Sequence, residues 1–192
     1  RSVVDFEQRF PTPFLHEVNK RSAKSGVDPA FVYGLIRQES RFIVEAQSGV
    51  GAAGLMQVMP ATARWTARKI GLNNFKLQQI TDRDTNIAIG TSYLKLVLDN
   101  FDGSMPLATA AYNAGPSRPR NWRGLGGDPM LEAAIWVENV PFPETRDYVK
   151  KVLANTTNYA ALLSGLPQSL KSRLGTIGPL GSEKNGAVED LP

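Results

Sequence analysis

Apolar residues recur at helical spacing along most of the chain, and this pattern predicts a mainly α-helical protein. The clearest helix follows Asp28, which can cap its N-terminus, and Pro29, which suits its first turn. Its apolar stripe consists of Phe31, Val32, Leu35 and Ile36. The stripe continues to Glu39, so we expect a helix that ends at a carboxylate and is followed by the glycine-rich run 48–54.

Six further helices are predicted by the same spacing, with Pro or Asp near several starts and Gly after several ends. We expect them over residues 13–24, 60–70, 82–98, 106–113, 130–138 and 143–163. The expected inward-facing residues are Phe14, Leu15 and Val18; Ile87, Thr91, Leu94 and Leu98; Leu131, Ile135 and Glu138; and Tyr148, Val152, Tyr159 and Leu163. Strand signals are weak, and we expect at most a small β-hairpin near Val50 to Val58.

The length of 192 residues fits one domain with a good core. Periodicity ends at residue 165, where Gly, Pro and Ser become frequent, so we divide the chain into a domain over 1–164 and a C-terminal extension over 165–192. No apolar run reaches membrane-spanning length, so membrane attachment would come from sequence outside this chain. A start at Arg1, with no Met or signal-like segment, is typical of a processed form or an excised domain.

The amino-acid composition excludes several kinds of catalytic and metal-binding site. The chain has no cysteine, which excludes disulfides, thiol nucleophiles and thiolate metal sites. We expect no cofactor and no metal, and we assign no function to the only histidine, His16. The net charge of +4 favours contact with nucleic acid, anionic membranes or carboxylate-bearing peptides without distinguishing among them. No nucleic-acid-binding motif is recognisable, so we predict no nucleic-acid partner.

Glu39 is the leading catalytic candidate. Desolvation at the edge of an apolar helix face disfavours the charged carboxylate, so we expect a raised pKa. A carboxylic acid that stays protonated near neutral pH can donate a proton to a glycosidic oxygen. The alternative from the residues alone is an ordinary solvated glutamate at a helix end.

Other side chains could complete a site. Tyr112 and Asn113 end a short apolar helix and could brace Glu39 or bind a sugar, or could be a core tyrosine and a C-capping residue. Glu138 is expected on an apolar stripe, although an exposed helix-end residue is the alternative. The basic loop 117–123, which carries Trp122, could stack on a sugar and pair with peptide carboxylates, or be merely solvated.

Four motifs resemble those of the soluble lytic transglycosylase catalytic domain, in the same order. They span most of the region from about Val27 to Tyr159. They are Glu39-Ser40-Arg41-Phe42, the segment 51–63 (GAAGLMQVMPATA), the segment 111–116 (AYNAGP) and the segment 143–149 (PETRDYV). The resemblance implies a lysozyme-like helical fold of the goose-type lysozyme and transglycosylase kind, and residence in the bacterial periplasm.

The resemblance also implies a reaction. Glu39 would protonate the oxygen between N-acetylmuramic acid and N-acetylglucosamine and then, as a carboxylate, deprotonate the muramyl 6-hydroxyl as it attacks C1. The product would be a 1,6-anhydromuramyl end. Glu45 matches no motif, and the family match of Glu138 supports binding, so no second catalytic carboxylate is expected.

The same resemblance assigns binding roles and partners. Ser48, Gln57, Met59 and the backbone near Gly54 would border the sugar subsites, whereas Met56 is equally consistent with the core. Tyr112 would hydrogen-bond to Glu39 or to the bond being cut, and Asn113 and Glu138 would contact substrate. Expected partners are peptidoglycan glycan strands, with penicillin-binding proteins and amidases as family associates.

Two other functions stay open. One is hydrolysis of the goose-type lysozyme kind, in which water attacks, and the lack of an obvious second general base weighs against it. The other is a non-catalytic peptidoglycan-binding or scaffold domain, against which the intact motifs around Glu39 argue.

Overall fold

The computed structural model describes residues 5–179 and 191–192 and shows a mainly α-helical fold, as predicted. Within these residues there are ten α-helices, one 3-10 helix at Leu77–Thr81 and one two-stranded antiparallel sheet. The α-helices are α1 Phe6–Arg9, α2 Leu15–Ser25, α3 Pro29–Glu39, α4 Pro60–Lys69, α5 Arg83–Asn100, α6 Met105–Ala114, α7 Ser117–Trp122, α8 Ala133–Glu138, α9 Pro143–Ser164 and α10 Lys171–Leu174. The strands are β1 Leu131–Glu132 and β2 Thr176–Ile177.

Helix α3 lies at the centre of the core and begins as its sequence predicts. Asp28 caps it by accepting a hydrogen bond from the Ala30 N–H, and Pro29 occupies the first turn. Every residue from Ala30 to Ile36 is buried. Such burial on all sides requires neighbours around the whole helix, and α9 provides the most extensive of these contacts.

Several details differ from the predictions. Leu15 and Leu163, expected in the core, are 39% and 37% exposed because they lie near helix ends beyond the packed faces. The predicted hairpin near Val50 to Val58 is reduced to two isolated bridges, Gln47 with Ala53 and Ala53 with Val58. The basic segment 117–123, expected to be a loop, is helical over α7.

The paired strands were not predicted, and they involve residues beyond 164. Leu131 pairs with Ile177 and Glu132 with Thr176, and the Ala133 N–H donates to the Gly175 carbonyl at 3.0 Å. Ile177 is 2% exposed within a cluster that includes Ala133 and Trp136. The first part of the expected extension therefore packs on the helical body, whereas its residues 180–190 lie outside the described residues.

The helix predicted over 130–138 is shorter than expected, because residues 131–132 form β1 and α8 starts at Ala133. Leu131 and Ile135 are 39% and 50% exposed, so this stripe is not an inner face. The buried face of α8 instead consists of Ala133, Trp136 and Val137. No helix in the described part of the chain is long and apolar enough to cross a membrane.

Candidate active site

Glu39 is the last residue of α3 and is half-buried, with its side chain facing α9. Burial raises its pKa from the ordinary value of 4.5 to about 7, and a hydrogen bond from Tyr148 opposes this rise. The predicted direction of the pKa shift is confirmed. At neutral pH the carboxyl group is therefore divided between its acid and base forms, as a group that both donates and accepts a proton requires.

Tyr148 contacts Glu39 directly, a role that the sequence did not predict. Its hydroxyl donates to Glu39 Oε1 from the second turn of α9. Burial, followed by the nearby charge of Glu39, raises the pKa of Tyr148 well above its usual value, so the phenol stays a donor at any working pH. The helical spacing identified Tyr148 only as a core residue, and its 6% exposure is consistent with that reading.

Tyr112 lies near the same carboxyl group but donates elsewhere. Its hydroxyl donates to the Met56 carbonyl at 2.8 Å, and Glu39 accepts from Tyr148 instead. Of the two roles expected of Tyr112, a hydrogen bond to Glu39 is therefore not seen, and a contact with the bond being cut stays a prediction. Burial, with the charge of Glu39 as the next cause, raises the pKa of Tyr112 well above its usual value. Tyr112 thus ties α6 to the loop of residues 46–58, here called the glycine-rich loop, beside Glu39.

The glycine-rich loop is held by bonds within itself. Ser48 Oγ accepts from the Ala52 N–H at 2.9 Å, and the Gln57 amide donates to the Ala46 and Gly54 carbonyls at 3.0 and 2.9 Å. The Ser48 and Gln57 side chains therefore stabilise the conformation of the loop through these hydrogen bonds.

Gly54 could not be replaced without strain. It has φ of +80°, and an added Cβ would overlap the Asn86 side chain and lie 2.8 Å from the Ile80 carbonyl oxygen.

Asn86 fastens this loop to α5, and sequence reasoning missed it. It is 1% exposed, and its Oδ1 accepts from the Met56 N–H at 2.8 Å. Its Nδ2 donates to the Ala53 carbonyl at 3.0 Å and the Ile80 carbonyl at 2.7 Å. Because residues 83–85 just before it are also polar, no sequence pattern marked Asn86 as a buried residue.

Four predicted substrate-binding residues share one cavity. Gln57, Met59, Tyr112 and Asn113 line a space of about 200 Å³. The remaining lining residues are Val58, Thr62, Tyr93, Ala111, Gly115 and Pro192. Met59 is 42% exposed at this edge, whereas Met56 is fully buried and is a core residue.

Asn113 and Glu138 are exposed but have partners. Asn113 Oδ1 accepts from the buried Thr145 hydroxyl at 2.8 Å, which fixes the amide orientation from α9. Glu138 forms an ion pair with Lys150 at 2.6 Å. The expectation that Glu138 lies on a buried apolar stripe is wrong, because α8 turns that face to solvent. Ser48, Gly54 and Glu138 are not among the residues that line the cavity.

Each arginine of the segment 117–123 makes a contact with another part of the protein. Arg118 lies 5.0 Å from the Phe142 ring, Arg120 donates to Asn100 at 2.6 Å, and Arg123 donates to the Gly178 carbonyl at 2.8 Å. These contacts weaken the suggestion that this segment binds peptide carboxylates. Among the described residues, no group of three or more His, Cys, Asp or Glu side chains is placed to hold a metal ion.

Comparisons with known proteins match this chain to one family. The family profile described as the transglycosylase SLT domain matches residues 16–130, and a second profile, the soluble lytic transglycosylase helical domain, matches residues 139–168. The soluble lytic murein transglycosylase of Escherichia coli K12 is 38% identical over 162 residues, which are 84% of this chain and 25% of that protein.

Two solved structures have the same fold. An inactive mutant of the lytic transglycosylase Slt from Pseudomonas aeruginosa superposes with a TM-score of 0.81 at 39% identity, covering 88% of this chain and 27% of the other. The 70 kDa soluble lytic transglycosylase of Escherichia coli has a TM-score of 0.81 at 37% identity, covering 86% and 26%. The chain spans about a quarter of the length of these relatives. The chain therefore belongs to the family of soluble lytic transglycosylases that is defined by the transglycosylase SLT domain.

Proposed function

We propose that this chain is a peptidoglycan lytic transglycosylase that cleaves the β-1,4 bond between N-acetylmuramic acid and N-acetylglucosamine without water. The observation that carries the proposal is the half-buried Glu39, with a pKa near 7 and a hydrogen bond from Tyr148. Family membership and the cavity lined by Gln57, Met59, Tyr112 and Asn113 support it. The proposed site of action is the bacterial periplasm, as the family membership suggests.

In the first step, protonated Glu39 gives its proton to the glycosidic oxygen as the bond from C1 to that oxygen breaks. Tyr148, which stays protonated, donates to the carboxylate that results. This hydrogen bond and the partial burial of Glu39 act on its pKa in opposite directions, and they leave the pKa near 7.

In the second step, the Glu39 carboxylate removes the proton of the muramyl 6-hydroxyl, whose oxygen forms a bond to C1. The product is a 1,6-anhydro ring, and Glu39 regains the proton that it gave away. Because nucleophile and electrophile belong to one sugar, the attack benefits from a high effective molarity. The reaction then requires the protein to hold the sugar and exclude water.

A single carboxylate is consistent with the rest of the site. Two-carboxylate glycosidases place both acids around the bond that is cut. Here Glu45 is exposed, and Glu138 is exposed and paired with Lys150. In this proposal Tyr112 lies at the bond being cut. The glycan strand contacts the Gly54 backbone and the side chains of Ser48, Gln57, Met59, Asn113 and Glu138. Penicillin-binding proteins and amidases remain predicted partners.

The test is a digest of purified peptidoglycan with this protein and with its Glu39→Gln variant, followed by mass spectrometry before and after borohydride reduction. We expect muropeptides one water lighter than hydrolysis products, resistant to reduction, and absent with the variant. Reducible products would instead indicate lysozyme-like hydrolysis. An absence of products from both proteins would favour a binding or scaffold role.

A further inference from the structure

A second cleft, here called the cationic cleft, lies beside the end of α3 on the side of α1 and α9. Its volume is about 610 Å³, and it is separate from the cavity that contains Tyr112. Four of its lining residues are basic and three are amides. The full lining is Gln8, Arg9, Pro11, Arg37, Gln38, Arg41, Phe42, Lys151 and Asn155.

Within the part of the chain that the structure describes, three of the four cations have no acidic partner. Lys151 pairs with Asp147 at 2.6 Å, but Arg9, Arg37 and Arg41 form no ion pair with any carboxylate in the described residues. Among residues 5–179 and 191–192, no carboxylate lines the cleft itself. Three guanidinium groups around a polar cleft, of which Arg37 also donates to the Tyr159 hydroxyl, make a surface that is complementary to carboxylates.

One of these groups is held in a fixed orientation. The Arg37 guanidinium lies 4.7 Å from the centre of the Phe10 ring, and the Phe10 ring packs edge-on against Tyr159. Tyr159 is anchored in turn by donating to the Pro11 carbonyl at 2.9 Å. A guanidinium held on an aromatic face needs less ordering when it binds an anion than a freely rotating side chain does.

The cationic cleft is close to the proposed chemistry. Gln38 and Arg41 flank Glu39 along the chain, and Lys151 lies three residues after Tyr148 on α9. Residues three apart on a helix have Cβ atoms about 5–6 Å apart. Helices α3 and α9 therefore carry Glu39 and Tyr148 and, about one helical turn away, residues that line one side of the cationic cleft.

We propose that the cationic cleft binds carboxylate groups of the peptide stems that peptidoglycan carries on its muramic acid units. The inference rests on the proposed function, because it names a second part of the same substrate. A stem is attached to the sugar whose bond would be cut, and an extended peptide advances about 3.3–3.6 Å per residue. Its first few residues can therefore reach a cleft one or two helical turns from Glu39.

The test compares two substrates and two charge-matched variants. The substrates are glycan strands with intact stems and strands from which an amidase has removed the stems. The variants are Arg9→Gln/Arg41→Gln in the cationic cleft and Arg64→Gln/Arg68→Gln on the exposed side of α4. Each variant loses two exposed guanidinium groups, so both have the same net charge.

The measured quantity is the ratio of kcat/KM for strands with stems to kcat/KM for stripped strands. We expect the cleft variant to lower this ratio about tenfold, since charge-assisted hydrogen bonds are lost, and the α4 variant to keep the wild-type ratio. An unchanged ratio in the cleft variant, or an equal fall in both variants, would overturn the proposal.

Direct binding separates this proposal from the proposed function. A synthetic stem tripeptide, L-alanyl-γ-D-glutamyl-meso-diaminopimelate, is titrated into the whole chain while NMR follows the arginine Nε–H signals. Shifts at Arg37 and Arg41 that weaken with added salt support the cationic cleft even if the protein releases no anhydro product. Absence of such shifts at saturating peptide would overturn it even if transglycosylase activity is found.

Discussion

At the scale of single residues, two opposing effects set the protonation of Glu39. Burial raises its pKa, because an ionised carboxylate loses hydration, and the Tyr148 hydroxyl lowers it by stabilising the charged form. Because the resulting pKa is near 7, both the protonated and the ionised form of Glu39 are populated near neutral pH. In the proposed reaction the first step needs the acid and the second needs the base, so neither effect alone would serve.

Tyr148→Phe should shift the pH dependence of the reaction. Without the phenol donor the charged form of Glu39 is less stable, so its pKa rises and the protonated acid persists to higher pH. We expect the alkaline fall of kcat/KM to move to higher pH, measured as a pH–rate profile on glycan strands. Tyr33→Phe is the matched control, since its hydroxyl donates to the Pro13 carbonyl and does not contact Glu39. A profile that keeps its wild-type position in Tyr148→Phe would contradict this role.

Glu39→Gln should change how stability depends on pH. The folded-state pKa is raised, so the native protein binds more protons than the unfolded chain between about 4.5 and 7, and stability is lost as pH rises through this window. Gln cannot ionise and should lack this loss. The measured quantity is the free energy of unfolding of the variant minus that of wild type, from urea unfolding. We expect this difference to be about 2–3 kcal/mol larger at pH 8 than at pH 4. An equal difference at the two pH values would show that Glu39 titrates normally.

At the scale of elements, the contact between α3 and α9 brings Glu39 to Tyr148. Gly34 lies at this contact, where an added Cβ would overlap the Thr156 hydroxyl and lie 2.8 Å from the Thr156 backbone nitrogen. Thr156 is fully buried and cannot move aside. The close approach of the two helices, and with it the hydrogen bond five residues further along α3, depends on the missing side chain at Gly34.

Gly34→Ala should therefore force α3 away from α9. We expect a loss of about 2–3 kcal/mol in the free energy of unfolding, together with a fall in activity, because the added methyl group has no room. Gly49→Ala is the control, since nothing lies within 4 Å of its added Cβ. Chemical denaturation and turnover of both variants test the point. Wild-type stability in Gly34→Ala would mean that the helix pair adapts without cost.

At the scale of the whole molecule, residues beyond 164 contribute to the core. Arg173 pairs with Asp28, the N-cap of α3, at 2.9 Å, and Ile177 is buried beside α8. The helix that carries Glu39 is thus tied at its start to the far end of the chain. The division at residue 165 remains a prediction about composition, but the packing extends past it.

Ile177→Ala measures this contribution. Removing a side chain that is 2% exposed should lower the free energy of unfolding by about 2–4 kcal/mol, through lost burial and the cavity that remains. Leu166→Ala is the control from the same segment, because Leu166 is 64% exposed and should change stability by less than about 0.5 kcal/mol. Equal, small effects in both variants would mean that this segment lies on the body without stabilising it.

Sequence alone determined the helices and the leading catalytic candidate. Helical periodicity, Asp and Pro at helix starts and Gly at helix ends are local signals, so α3 and α9 could be placed within a few residues. The apolar stripe that ends at Glu39 was likewise enough to predict the direction of its pKa shift.

Tertiary structure alone decided which groups meet. Tyr148 is 109 residues from Glu39 and Asn86 is 30 residues from Met56, and no periodicity specifies such a pairing. The same holds for the cationic cleft, where α1, α3 and α9 bring Arg9, Arg37 and Arg41 together. A stripe shows that a face is buried but not what buries it, which is why Ile135 was expected inside and lies outside. Local physics fixes the elements, and the chemistry of the site follows from contacts between elements far apart in the chain.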